Sequence, residues 1–352
     1  MKYIIVLALV SLSISLQAQY SGREEKQILK MMHDLSVPGV QISHIKGGKT
    51  QTYNLGEMLY GSTDKVTDVT LFQAASMSKV VFAYAVLRLY DQGLIELDRP
   101  LNEYYTDKKL KDDPNVDLIT ARMCLNHTTG LPNWGTYGEP LRTRFKPGTA
   151  YRYSGEGIQY LQRTIEHITG KTLEEIMQQE VIQPLGLTHS SFVYHDSLAA
   201  DYATGHDGKT GMLPSKMRKF SRAKAAYSML TTAQDYAAFV QKAVLGGQGL
   251  KPETHKLWLS PSSRLKQAED TKNPAFEHLS YGLGIMLQDN EKGRAYMHTG
   301  SNRGRYMSIF ISYPETGEVL VALTNGKNGG TPFQRALLTY LLEPQTLWFF
   351  KR

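Results

Sequence analysis

Cysteine is almost missing from this chain: Cys124 is the only one in 352 residues, which excludes an internal disulfide and with it a disulfide-stapled extracellular module. The ten histidines contain no His-x-His pair and no His-Glu-x-x-His helix, so the usual zinc-hydrolase patterns are absent and no metal is expected. No Gly-x-Ser-x-Gly occurs, which argues against the serine turn of an α/β-hydrolase. A phosphate-cradling loop is only grazed, because Ala203 stands where the first glycine ahead of Gly208-Lys209-Thr210 belongs.

Strong charge and long apolar runs are also scarce. Charged residues make up 21% of the chain. Beyond residue 18, 39 basic and 33 acidic residues leave a mild +6. Basic residues gather at Lys216, Arg218, Lys219, Arg222 and Lys224, but with no alternating aromatics, so nucleic acid is not an expected partner. The one apolar run that stands out, Ile4 to Leu16, follows Lys2 and precedes the small-residue site Leu16-Gln17-Ala18. It reads as an export signal over residues 1–18, too short for the ~20 residues that span a bilayer. No cysteine follows it for lipid attachment, so the expected location is periplasmic or secreted, with no membrane span after signal removal. The remaining 334 residues suit one composite catalytic unit.

What is present has a clear order. Spacing predicts a helix from Glu24 to Leu35, then strands at Val40–Ile45 and Thr50–Leu55 parted by Gly47-Gly48. Met77–Tyr90 is a helical run whose apolar positions recur too densely for a surface helix, so it is expected to be buried. Helical pieces broken by Gly and Pro loops follow. After Tyr281 the period changes to strands at Tyr281–Leu287, Arg294–His298, Met307–Tyr313 and Val319–Thr324, closed by a helix from Phe333 to Leu342. The expected class is α+β. Residues 19–100 and 231–352 form the part with the central antiparallel sheet, and 101–230 an inserted helical subdomain.

Ser-x-x-Lys occurs five times, starting at Ser43, Ser62, Ser76, Ser221 and Ser263. On a helix this spacing puts a hydroxyl and an amine on one face, close enough for the amine to help deprotonate the serine. Only Ser76 stands where a strand-like segment turns into the buried helix, where free N–H groups and the helix dipole favour an oxyanion. An N-cap serine is the plainer role for Ser76, and a solvated helix lysine the plainer role for Lys79. Lysine ordinarily titrates near ~10.4, so acting as a base at neutral pH requires burial or nearby positive charge.

Four more segments make the pattern specific: Leu125-Asn126-His127-Thr128-Thr129-Gly130-Leu131-Pro132, Lys146-Pro147-Gly148-Thr149, Tyr151-Arg152-Tyr153-Ser154 and His298-Thr299-Gly300. With Ser76-Met77-Ser78-Lys79, they make the chain resemble the β-lactamase-related serine hydrolases from about residue 25 to 340. That family groups class C β-lactamases, D-alanyl-D-alanine carboxypeptidases, D-amino-acid peptidases and lactamase-like esterases.

The resemblance implies a penicillin-binding-protein-like fold, with an antiparallel sheet flanked by helices beside a mostly helical subdomain. It implies Ser76 as the nucleophile of an acyl-enzyme, Lys79 as its partner and Tyr153 as general base and acid. The substrate would lie along His298, Thr299, Gly300 and Ser301, with the N–H groups of Ser76 and Ser301 receiving the oxyanion. From the residues themselves, Gly300 would permit close backbone approach to the substrate, with a turn glycine its plainer role, and Arg303 or Arg305 could hold a substrate carboxylate, with exposed arginine the plainer and preferred role of each. Lys209-Thr210-Gly211 also fits the third motif, but Asp207-Gly208 beside it reads as a turn, so His298-Thr299-Gly300 is preferred.

The chain departs from the family pattern in two places. Tyr153-Ser154-Gly155 ends in glycine where asparagine is usual, and His298 replaces lysine; both weigh against efficient β-lactam turnover. Glu156 could take part of the asparagine's role, although a surface glutamate is its plainer reading. The expected activity is therefore hydrolysis of small esters or amides first, of D-amino-acid peptides next, and class C-type β-lactam cleavage third. The substrate would be a small molecule or peptide, cell-wall fragments included, and no organic cofactor is implied. A non-catalytic muropeptide-binding or regulatory protein of the same fold is the rival from another class.

Overall fold

The computed structural model describes residues 22–136, 138–207, 212–216, 219–265 and 273–352. The expected signal at 1–18 and the Lys209-Thr210-Gly211 triplet lie outside the described residues.

The first described element is helix α1 (22–34). Strands β1 (Gly39–Lys46) and β2 (Lys49–Gly56) form a hairpin. Helix α2 (Ser78–Asp91) follows the short 3₁₀ turn Ala75–Met77. Next comes a series of mostly short helices, among them the longer α3 (Gly155–Thr169) and the short α4 (Ala233–Phe239). The chain then returns as β3 (Ser263–Arg264), β4 (Leu279–Tyr281), β5 (Met286–Asn290), β6 (Gly293–Asn302), β7 (Tyr306–Tyr313) and β8 (Glu318–Thr324), before α5 (Thr331–Leu341). All eight strands form one antiparallel sheet in the order β2-β1-β8-β7-β6-β5-β4-β3.

The sheet sorts its side chains with the period of two that a pleated strand imposes. On β8, Leu320 and Ala322 join the core with Ile28 of α1 and Leu337 of α5. Val319, Val321 and Leu323 face the other way, into the core that holds α2 and Phe239 of α4. Apolar side chains on both faces are what a sheet covered by helices on both sides requires. Ten successive residues of α2, Ser78 to Leu87, are buried, as the density of its apolar positions led one to expect. No helix among the described residues is long and apolar enough to cross a membrane.

One expected strand is in fact two. Between β4 and β5 the chain leaves the sheet at Gly282-Leu283-Gly284, where the Gly284 N–H donates to the Leu125 carbonyl at 2.8 Å. Gly284 has φ +82°, and a Cβ there would lie 2.5 Å from that of Ala83 on α2. Backbone touches helix at this point, and only glycine permits it. The short edge strand β3 was not among the expected strands either.

Candidate active site

The segment before α2 is pinned from two sides. Phe72–Gln73 pairs with Leu230–Thr231, and the Ala74 carbonyl accepts from Ser308 Oγ of β7 at 2.7 Å. Between these anchors Ala75 takes φ +51°, a left-handed conformation that costs an L-residue roughly 1–2 kcal/mol. Ser76 follows at once, half-buried and facing the cleft.

Lys79, one turn along, is fully buried. Its Nζ lies 3.1 Å from Ser76 Oγ and donates to the Ala226 carbonyl at 2.8 Å. No carboxylate among the described residues accompanies it, and burial pulls its pKa down from 10.5 to about 7. Tyr153 completes the group. Its ring centroid is 4.9 Å from Lys79 Nζ, and its phenol lies near enough to Ser76 to feel that hydroxyl. Burial raises that phenol above the ordinary tyrosine value, while Ser76 opposes the rise.

Tyr153 is held from behind by the N-terminus of α3. The next residue, Ser154, is the N-cap: its Oγ accepts from Gly157 N–H at 2.9 Å and donates to the Pro132 carbonyl at 2.9 Å. The Ser154 N–H donates to His127 Nδ1 at 3.2 Å, and the His127 ring lies 4.3 Å from that of Tyr153. The Asn126-to-Pro132 motif thus acts as the seat of Tyr153.

β6 forms the facing wall, bringing His298, Thr299, Gly300 and Ser301 to the same cleft of about 630 Å³ as Ser76 and Tyr153. His298 is buried, and both its ring nitrogens are engaged. Nδ1–H donates to the Thr299 carbonyl at 2.6 Å, and the Tyr281 hydroxyl donates to Nε2 at 2.6 Å. Burial, and secondarily the Lys79 charge, lower its pKa to about 3, so the ring is neutral at physiological pH. A neutral, doubly bonded imidazole is no anchor for a carboxylate.

Gly300 lines the cleft and is also needed for packing within the fold. A Cβ there would meet Ser308 Oγ at 2.2 Å, the Ala74 carbonyl at 2.4 Å and Ala75 Cβ at 3.0 Å. The close approach it permits is between β6 and the turn that carries Ser76. Arg303 lies exposed, with φ +53°, and is not among the residues lining the cleft. Arg305 Nε pairs with Asp207 at 2.6 Å.

Four residues that the sequence reading passed over or misjudged belong to this region. Gly155, which replaces the usual asparagine, has no room for any side chain: a Cβ would lie 2.7 Å from the Asn133 carbonyl and 2.8 Å from the Trp134 ring. Asn133 lines the cleft instead, its Oδ1 accepting from Gly155 N–H at 3.0 Å. Glu156 is buried rather than at the surface and accepts from Gly135 N–H at 3.1 Å. Tyr281, which orients His298, carries no local signal, since it reaches that ring only through the sheet. Among the described residues no group of three or more His, Cys, Asp or Glu side chains could hold a metal.

Comparison with known proteins places the chain in a family. Penicillin-binding protein 4 of Amycolatopsis lactamdurans is 25% identical over 320 residues, covering 82% of this chain and 81% of its own length. Esterase EstB of Burkholderia gladioli is 25% identical, covering 70% of this chain and 76% of its own. Among solved structures, the D-alanine carboxypeptidase AmpC of Burkholderia cenocepacia superposes with a TM-score of 0.75 at 20% identity, over 92% of this chain and all of the other. A penicillin-binding protein homologue from Pyrococcus abyssi gives 0.77 at 21% identity, over 91% and 76%. The family profile described as Beta-lactamase matches residues 25–343, and with that span the chain belongs to the β-lactamase family of hydrolases and penicillin-binding proteins.

Proposed function

We propose that this protein is a serine hydrolase that forms an acyl-enzyme on Ser76, acting on small esters, amides or D-amino-acid peptides in the periplasm or outside the cell. The observation that carries this reading is the Lys79 amine, fully buried, 3.1 Å from Ser76 Oγ and titrating at about 7. Half of such amines are neutral at pH 7 and can accept a proton.

In the proposed cycle Lys79 takes the Ser76 hydroxyl proton as Oγ attacks the substrate carbonyl. The N–H groups of Ser76 and Ser301 receive the developing oxyanion. Collapse breaks the bond to the leaving group, and Tyr153, whose raised pKa keeps it protonated, donates a proton to the departing oxygen or nitrogen. Tyr153 recovers a proton from Lys79, and water then cleaves the acyl-enzyme by the same route in reverse. This assigns the base role to Lys79 and the acid role to Tyr153, where the resemblance alone gave both to Tyr153. Neutral His298 and the absence of an asparagine at 155 favour esters and peptides over β-lactams.

The test uses the chain from residue 19 onward beside Ser76→Ala, with p-nitrophenyl butyrate, a D-alanyl dipeptide and nitrocefin as parallel substrates. Serine-dependent turnover of the ester or dipeptide, with little on nitrocefin, is expected. Fast nitrocefin turnover would move the assignment to a class C-type β-lactamase. Three rates equal to those of Ser76→Ala would leave a binding protein.

A further inference from the structure

We propose that Arg352 forms an anion subsite of the active-site cleft and receives a carboxylate of the substrate; this rests on the hydrolase reading above and narrows its substrate class. Arg352 lines the same cleft as Ser76, Tyr153 and His298, although 276 positions separate it from the serine in sequence (76 to 352). The segment that brings it there is docked. Trp348 stacks on His278 with ring centroids 3.9 Å apart and planes 4° from parallel. The Phe349 N–H donates to Gln288 Oε1 at 3.2 Å, and Asn273 Nδ2 donates to the Lys351 carbonyl at 2.9 Å. Phe349 is buried and is itself part of the cleft wall.

The guanidinium is prepared for an anion. Its Cζ lies 3.9 Å from the centroid of the Phe349 ring, a cation–π contact that fixes where the charge sits. Arg352 has no acidic partner and no hydrogen-bond acceptor among the described residues. The described lining of the cleft contains no aspartate or glutamate, and Arg352 is its one formal cation.

The other basic groups nearby are unavailable. Lys79 is enclosed and bonded to Ser76 and Ala226, and both nitrogens of His298 are occupied. Arg305 is paired with Asp207, and Arg303 lies off the cleft. A planar, permanently charged fork in a pocket whose described side chains include no acid suits a carboxylate, which it can hold through two parallel N–H···O bonds. The carboxylate could belong to the leaving group, as at the end of a peptide, or to the acyl half, as in a dicarboxylic monoester.

Two matched substrate pairs distinguish these sources and test the proposal. For the acyl side the pair is the p-nitrophenyl monoester of glutaric acid against p-nitrophenyl butyrate; for the leaving side it is acetyl-D-alanyl-D-alanine against its C-terminal amide. The readout is the ratio of kcat/KM for the acid over its neutral partner, which a general disturbance of the cleft wall would not move. In Arg352→Ala this ratio is expected to fall by about 10- to 100-fold for one pair, the range of a charge-assisted hydrogen bond. It should fall further in Arg352→Glu and recover in part in Arg352→Lys; the affected pair identifies the side.

Ratios that stay within twofold of the unaltered protein for both pairs would overturn the proposal. Should the unaltered protein turn over none of the four, the hydrolase reading fails separately. Calorimetry on Ser76→Ala then decides the subsite: tighter binding of acetyl-D-alanyl-D-alanine than of its amide, lost in Ser76→Ala/Arg352→Ala, supports it, and equal binding overturns it.

Discussion

Replacing Lys79 by methionine separates what this side chain does for the reaction from what it costs the fold. Its pKa falls from 10.5 to about 7 through burial. At 1.36 kcal/mol per pKa unit, the fold therefore disfavours the charged amine by about 5 kcal/mol. The unfolded chain keeps this proton until near pH ~10.4, whereas the folded chain releases it near 7. Between those values the unfolded state binds more protons, so this group makes the folded state more stable as pH rises.

At pH 7 the cost is still ~4 kcal/mol, and at pH 9 ~2 kcal/mol remains. Methionine has similar length and no charge, but it leaves the Ala226 carbonyl without its donor, a loss of ~1–2 kcal/mol. Lys79→Met is therefore expected to be more stable than the unaltered protein by ~2–3 kcal/mol at pH 7. That advantage should nearly vanish by pH 9, while Ser76-dependent hydrolysis is lost at both. Urea unfolding of the two proteins at pH 6, 7, 8 and 9 gives the difference directly, with contributions from other titrating groups cancelling. A variant less stable at pH 7, or an advantage that does not shrink with rising pH, would refute the reasoning.

Three more expectations concern the cleft. The kcat/KM of ester hydrolysis should rise about tenfold per pH unit below 7 and level above it, because the neutral Lys79 amine is the form that accepts the proton; a profile flat from pH 5.5 to 9 would remove Lys79 from that role. Gly300→Ala drives a methyl into the Ala74 carbonyl and Ser308 Oγ, so it should cost ~1–3 kcal/mol in unfolding free energy and slow hydrolysis by shifting the turn beneath Ser76. Equal stability and rate would show that β6 has room there after all. Tyr281→Phe keeps the ring but strips His298 Nε2 of its donor. The cost of a buried acceptor left unpaired is ~1–3 kcal/mol, readable as a lower midpoint on heating, and an unchanged midpoint would contradict it.

The features legible beforehand were those with a local period. The strands of the central sheet alternate or run apolar, and α2 is apolar all round, so each declares itself within a dozen residues. Ser76 and Lys79 meet because one helical turn separates them, which spacing alone can express. Features created by folding could not be read this way. Tyr281 and His298 meet through the sheet, as do Gly300 and the Ala74–Ala75 turn, and no periodicity encodes such a contact. Gly282 and Gly284 sit inside an apolar stretch that scans as one strand, and only the proximity of Ala83 explains the break. Gly155 was read as a missing amide, whereas the structure makes it a steric requirement of the neighbouring Asn133-Trp134 segment. Arg352 gave no signal at all, because a Lys-Arg pair after a short aromatic run has no local meaning.

The strand order has a consequence in time as well as in space. β1 pairs with β8, so that Val40 lies opposite Thr324 and Ile45 opposite Val319. The sheet cannot be zipped in the order in which a ribosome delivers it. Pairings of such long sequence separation bear the loop-closure entropy before any contact rewards it, and they make folding slow. Ser76 and Lys79 therefore leave the ribosome long before Gly300 and Ser308 exist to hold their turn. A half-made chain carries every atom of the nucleophile and its partner and still has no clamp on them; the cleft closes around Ser76 only when nearly the whole polypeptide has arrived.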